Sequence, residues 1–132
     1  MNLEIVTKQE KIFESDNVVQ VSVPTINGEI TILPNHQNLI TILNMGEINI
    51  IAKDEKNKIF IDYGILEISE NKVSILVDRG VPSEKVIKQE IEKAIKKAEE
   101  KYEEETLDQE ILEQLERQLK FERFIKDRVE LE

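Results

Sequence analysis

Few residues here are equipped for bond chemistry. His36 is the one histidine, within Ile26 to Thr41 (INGEITILPNHQNLIT), and the chain has no cysteine. A single imidazole cannot build a His-x-x-x-His zinc site, and without thiols there is neither a disulfide nor a thiolate centre. The serines, Ser15, Ser22, Ser69, Ser74 and Ser83, stand in no Gly-x-Ser-x-Gly elbow. The four glycines, Gly28, Gly46, Gly64 and Gly80, are too scattered for a phosphate-cradling loop. Carboxylates are plentiful, and a convergent pair would serve general acid–base work. Their positions on strand edges and helix faces favour solvation instead. His36 reads as a structural or interface residue rather than a base. No catalytic, cofactor-binding or metal-ligating residue is expected.

The net charge of −10 argues against nucleic acid as a partner, since phosphate neutralisation needs a basic footprint. The start, MNLEIVTKQE, lacks a basic segment followed by an apolar one, so no signal peptide is expected. No apolar run approaches the roughly 20 residues that span a bilayer. A soluble protein is expected.

Charge density changes along the chain. Residues 1–82 carry 7 basic and 12 acidic side chains, whereas 27 of the 50 positions in 83–132 are charged. That contrast predicts two domains, 1–82 and 83–132.

The first part carries a period of two. Val19, Val21 and Val23 alternate with polar residues, with Val18 as an extra. Ile30 and Ile32 share a face, as do Ile48 and Ile50, Ile59 and Ile61 (Phe60 opposite), Leu66 and Ile68 (Ile65 in phase with Glu67), and Val73, Ile75 and Val77. Short β-branched runs separated by Asn27-Gly28, by 53–58 and by 69–72 predict seven to ten strands, folded as a β-sandwich or flattened barrel.

The second part has no Gly or Pro and a period near 3.6. Ile87, Ile91, Ala94, Ala98 and Tyr102, with Ile95 alongside, predict one amphipathic helix capped by Ser83. Thr106 to Gln109 reads as a capping box for a second, with Leu107, Ile111, Leu115 and Leu119 as its stripe. Phe121, Phe124, Ile125 and Val129 extend its apolar side, and its basic residues gather toward the C-terminal end, as the macrodipole favours. The pair predicts an antiparallel helical hairpin. Its stripe is thin, so it serves either as a satellite or as a partner-docking arm.

The stretch NGEITILPNHQNLIT resembles a signature of the epsilon subunit of the bacterial F-type ATP synthase, Gly-Glu-Leu-Gly-Ile-Leu-Pro-x-His-x-x-Leu-Leu-Thr. Gly28, Glu29, Ile32, Leu33, Pro34, His36, Leu39 and Thr41 stand in matching places. Gly46 fits the glycine opening the next strand. YGILEIS, with Gly64, Leu66 and Glu67, and NKVSILVD, ending at Asp78, resemble two further family motifs in the same order.

The resemblance implies a non-catalytic rotor subunit of the central stalk, with the gamma subunit, the c-ring and the alpha and beta subunits as partners. It would be peripheral, on the cytoplasmic face of the bacterial inner membrane, associated with the membrane only through the complex. The sandwich would meet gamma and the ring through Glu29, Ile30, Leu33, Pro34 and His36. The hairpin would restrain ATP hydrolysis, with Arg117, Lys120, Arg123, Phe124, Lys126 and Arg128 forming a regulatory arm. In some members an Ile/Leu-Asp-x-x-Arg-Ala motif binds ATP, but here Ile87 and Glu90 replace its Asp and Arg. Glu90 would repel phosphate, so no nucleotide site is carried over. Thr31 replaces a signature glycine, and Asp62-Tyr63 a Ser-Gly pair. Two other readings are a stand-alone β-sandwich adaptor using its hairpin to bind another protein, and a small enzyme with a carboxylate pair.

Overall fold

A computed structural model of the chain describes residues 1–104 and 109–131. They form two compact units, Met1–Lys85 and Val86–Glu132.

The first unit contains ten strands: β1 (Asn2–Val6), β2 (Lys11–Ser15), β3 (Val18–Thr25), β4 (Gly28–Ile32), β5 (Leu39–Leu43), β6 (Gly46–Ala52), β7 (Glu55–Ile61), β8 (Gly64–Ser69), β9 (Lys72–Val77) and β10 (Gly80–Pro82). They run in the order β10-β7-β6-β3-β5-β8-β9-β1-β2, with β4 on β3. All pairings are antiparallel except β1 with β9. The two end strands approach each other, since a Cβ on Gly80 of β10 would stand 2.6 Å from Ile12 Cδ1 of β2. The result is a nearly closed sandwich, as the alternation predicts. Inward residues form one core that includes Leu3, Ile5, Ile32, Ile48, Ile50, Leu66, Val73 and Ile75.

One alternation differs. Val19 is 47% exposed, while Val18, Val21 and Val23 are buried. The β3–β6 register shifts between Val18 and Gln20. An extra residue in a bulge moves one side chain to the other face, so Val18 takes the inward place.

Two connections shape the ends of this unit. The β3–β4 turn is Ile26-Asn27, with Thr25 paired to Gly28 at φ +111°. The β8–β9 turn places Glu70 and Asn71 at φ +49° and +63°, the left-handed pair of a two-residue hairpin. The β4–β5 segment is fastened to that second turn: Asn35 N–H donates to Asn71 Oδ1 at 2.9 Å, and Glu70 N–H donates to Asn38 Oδ1 at 3.3 Å.

The second unit holds α1 (Lys88–Glu104) and α2 (Gln109–Leu131). Ser83 does not cap α1. Ser83–Lys85 form a 3₁₀ turn, and Ile87 C=O accepts the N–H of Ile91 at 3.1 Å. The β-branched pair Val86-Ile87 therefore lies outside the helix, and Ile87 occupies the half-helical first position. Ile95, Ala98, Leu115 and Leu119 pack together, with Ile91 beside them, while Ile87, Tyr102 and Ile111 at the stripe's ends are exposed. Tyr102 O–H donates to Glu116 at 3.2 Å, Arg123 Nη2 lies 2.7 Å from Glu99, and Lys88 lies 3.9 Å from Glu130. Partners on α2 advance as those on α1 recede, so the hairpin is antiparallel. The expected capping box begins at Thr106, outside the described residues.

Candidate docking surfaces

Thr25 organises the turn that presents Glu29. Asn27 N–H donates to Thr25 Oγ1 at 3.1 Å, and the Thr25 hydroxyl donates to Gly28 C=O at 2.5 Å. Glu29 follows, exposed, and Ile30 is half-buried beside it.

His36 lies at the other end of the sheet. Along β5, Leu39 pairs with Ile68 near the β8–β9 turn, whereas Leu43 pairs with Gly64 and Thr25. Those positions are about 13 Å apart at the rise of an extended strand. The segment holding Leu33, Pro34 and His36 is tied to the first end through Asn35, and Glu29 belongs to the second. The five residues grouped from sequence are therefore divided, with Glu29 and Ile30 near one end and Leu33, Pro34 and His36 beyond the other end of β4. His36 is half-buried, and its Nδ1 lies 2.8 Å from the C=O of Gln37. Among the described residues no cluster of His, Asp and Glu is placed to hold a metal.

Sequence reasoning missed the most distinctive surface. On the outward face of β5-β8-β9, Ile40 is 72% exposed, Ile42 54%, Ile65 52% and Leu76 46%. The register sets Ile42 opposite Ile65, Ile65 opposite Leu76, and Leu76 beside Val6 of β1. Ile26, also exposed, extends the row, since its N–H donates to Ile42 C=O at 3.2 Å. A contiguous apolar row on a polar-faced antiparallel sheet marks an interaction surface, unlike isolated exposed isoleucines. The next row is acidic: Ile40 pairs with Glu67, Glu67 with Ser74, and Ser74 with Glu4. At its edge Lys11 donates to Glu14 at 2.6 Å and lies 3.6 Å from Glu4. The Lys11–Glu14 bond raises the lysine pKa and lowers that of the glutamate. The signal was in the sequence, because Ile65 falls in phase with Glu67 and Leu76 with Ser74.

On α2, Arg117, Lys120, Arg123 and Arg128 are exposed, and Lys126 and Phe124 half-buried. The Arg128 guanidinium lies 5.5 Å from the Phe124 ring centroid, so charge and aromatic area coincide. Arg123 reaches across to Glu99. Among the described residues Glu113 accepts from Gln109, Glu116 from Tyr102 and Glu122 from Gln118. These bonds give all three glutamates partners other than the arm's cations.

Residues 1–83 match the family model for the ATP synthase delta/epsilon chain β-sandwich domain. The chain is similar to the ATP synthase epsilon chain of Chloroflexus aggregans, 37% identical over 94 residues, covering 71% of this chain and 67% of that one. It is also similar to the ATP synthase epsilon chain of Aquifex aeolicus, 36% identical over 99 residues, covering 71% and 74%. A chain of the Euglena gracilis mitochondrial ATP synthase shares the fold with TM-score 0.69 at 22% identity, over 98% of this chain and 80% of that one. A breadth of agreement that takes in sequence, strands and hairpin displaces the stand-alone adaptor and small-enzyme readings. The chain belongs to the ATP synthase delta/epsilon family, as an epsilon-type, non-catalytic subunit of the rotary enzyme.

Proposed function

We propose that this chain performs the central-stalk role through two adjoining surfaces of its sandwich. The apolar row Ile26, Ile42, Ile65 and Leu76, with Ile40 beside it, docks the gamma subunit. The turn carrying Glu29 faces the polar loops of the c-ring. The single observation that carries this reading is their continuity: Ile26 belongs to the Glu29 turn and is bonded to Ile42 of the apolar face. A rotor part must grip the shaft and meet the ring without slack between the two contacts. In this reading Leu33, Pro34 and His36 form a separate margin at the far end. The complex lies at the cytoplasmic face of the bacterial inner membrane, and no described helix is long and apolar enough to cross it.

The turn assignment is tested by a Glu29→Cys variant, in a chain otherwise free of cysteine. It is expected to crosslink to the polar loop of the c subunit in the assembled enzyme. Crosslinks only to alpha or beta would remove the turn from the ring. The contact is exposed and polar, so Glu29→Ala should weaken binding by about 1 kcal/mol or less.

The arm on α2 is proposed to restrain hydrolysis by docking in one of two hairpin states. The stacked Arg128 and Phe124 support it, since a partner would meet both together. A ligand or partner shifts such an equilibrium only through differential contacts. Deleting residues 107–132 removes them. Assembly should persist, and ATP hydrolysis by the complex should rise several-fold with a smaller change in synthesis. Equal hydrolysis rates, measured where the full-length arm is shown to be extended, would exclude the regulatory role.

A further inference from the structure

We propose that Thr25 is the positioning residue that fixes the direction of Glu29 and locks its turn to the apolar face. This rests on the docking reading above. Glycine adopts φ +111° without steric cost, and equally leaves it without cost, so Gly28 cannot hold the turn by itself. A rotation at Gly28 would swing Glu29, the next residue. No side chain at Gly28 resists it, because a Cβ there would meet nothing within 4 Å. The Thr25 hydroxyl supplies the constraint. It accepts from the amide of Asn27 on one side of Gly28 and donates to the carbonyl of Gly28 on the other. One hydroxyl thus grips the backbone before and after the permissive residue.

Thr25 is itself well anchored. It is 7% exposed and pairs with both Gly28 of β4 and Leu43 of β5. Its neighbours repeat the tie: Ile26 N–H donates to Ile42 C=O, and Asn44 N–H donates to Pro24 C=O at 2.8 Å. Residues 24–26 therefore connect the turn to the strand carrying Ile40 and Ile42. A load on Glu29 is delivered to β5 through the Thr25 hydroxyl rather than lost in rotation at Gly28. A Ser at this position keeps the grip, and a Val of similar shape removes it.

The test reads two quantities on three chains: the natural one, Thr25→Ser and Thr25→Val. Amide hydrogen exchange of Asn27 in the free, folded chain is expected to quicken about fivefold or more in Thr25→Val, the effect of losing one hydrogen bond. Thr25→Ser should restore the natural rate within about twofold. In the assembled enzyme, with Cys at position 29 in each, the crosslink yield to the ring should fall several-fold with Val and recover with Ser. Unchanged Asn27 exchange in Thr25→Val overturns the proposal. So does quickened exchange with an undiminished crosslink. If position 29 never reaches the ring even beside Thr25, the docking reading fails, while exchange still decides whether Thr25 holds the turn. Thr25→Ala provides the same comparison should the valine variant not fold.

Discussion

A chain ended after Lys85 is expected to melt as a cooperative β protein. All sixteen residues of the main buried cluster, from Leu3 to Val77, lie within it. Every strand pairing closes within it as well. The position of the cut matters. β10 pairs with β7 through Gly80–Ile61, Val81–Phe60 and Pro82–Ile59, and Asp62 N–H donates to Arg79 C=O at 3.0 Å. Ending at Asp78 strips these and bares the edge of β7. Losing two or three ladder bonds costs about 2–3 kcal/mol, or roughly 10–20 °C in a unit of this size. The helical residues 86–132 alone should lose most of their helix, since the cluster that packs together in this unit is thin: Ile95, Ala98, Leu115 and Leu119, with Ile91 beside them. Isolated helices of this length are marginal in water. Circular dichroism melts of the three fragments decide this. A 1–85 fragment that melts without cooperativity and binds hydrophobic dye would show that the sandwich is not self-sufficient.

Gly64→Ala should be the most damaging single methyl group in the sandwich. A Cβ there would stand 2.5 Å from Leu76 O, 2.9 Å from Val77 Cγ1 and 3.2 Å from Val77 Cα. The carbonyl and the Cα are backbone and cannot rotate away. Gly64 is also paired to Leu43 on one side and Val77 on the other. Relief means prising β8 from β9, so a loss of about 3 kcal/mol is expected, or roughly 12–24 °C. Gly28→Ala is the useful contrast. It meets open space but must hold φ +111°, which costs about 1 kcal/mol. Thermal or urea unfolding of both variants checks the order. Equal stabilities, or a Gly64→Ala variant within about 1 kcal/mol of the natural chain, would contradict the steric account.

Strands with one wet face were legible because their period survives intact. Ile48 and Ile50, Leu66 and Ile68, and Val73, Ile75 and Val77 are buried where alternation puts them. Val19 misled because a bulge is a change of register, and register depends on a partner strand that sequence does not name. β1 was overlooked for a related reason. Leu3 and Ile5 also pair in parallel with β9, some seventy residues away, and the local turn to β2 does not reveal that partner. β5 reads LITIL, apolar in both phases but for Thr41, so alternation alone does not tell its outward face from its inward one.

The same limits govern the site. The Asn27-Gly28 turn was readable from turn chemistry. The separation of Glu29 from His36 was not, because it follows from β4 carrying the chain from one end of the sheet to the other. The resemblance names these residues together as an interface, and the fold sets them at two ends of β4. The helical stripe was legible, whereas Arg123 facing Glu99 required knowing which turns of two helices meet.

Pull-down from detergent-solubilised membranes tests the docking face most directly. The tagged natural chain is expected to recover gamma together with alpha, beta and the ring subunit. A chain carrying Ile42→Asp and Ile65→Asp should keep the natural β spectrum and cooperative melt, because both side chains already face solvent. It should nevertheless recover at least tenfold less gamma, since a buried carboxylate at an apolar contact is strongly unfavourable. Undiminished recovery of gamma by the folded double variant, or a natural chain that recovers no gamma at all, would contradict the assignment of this face to the rotor shaft.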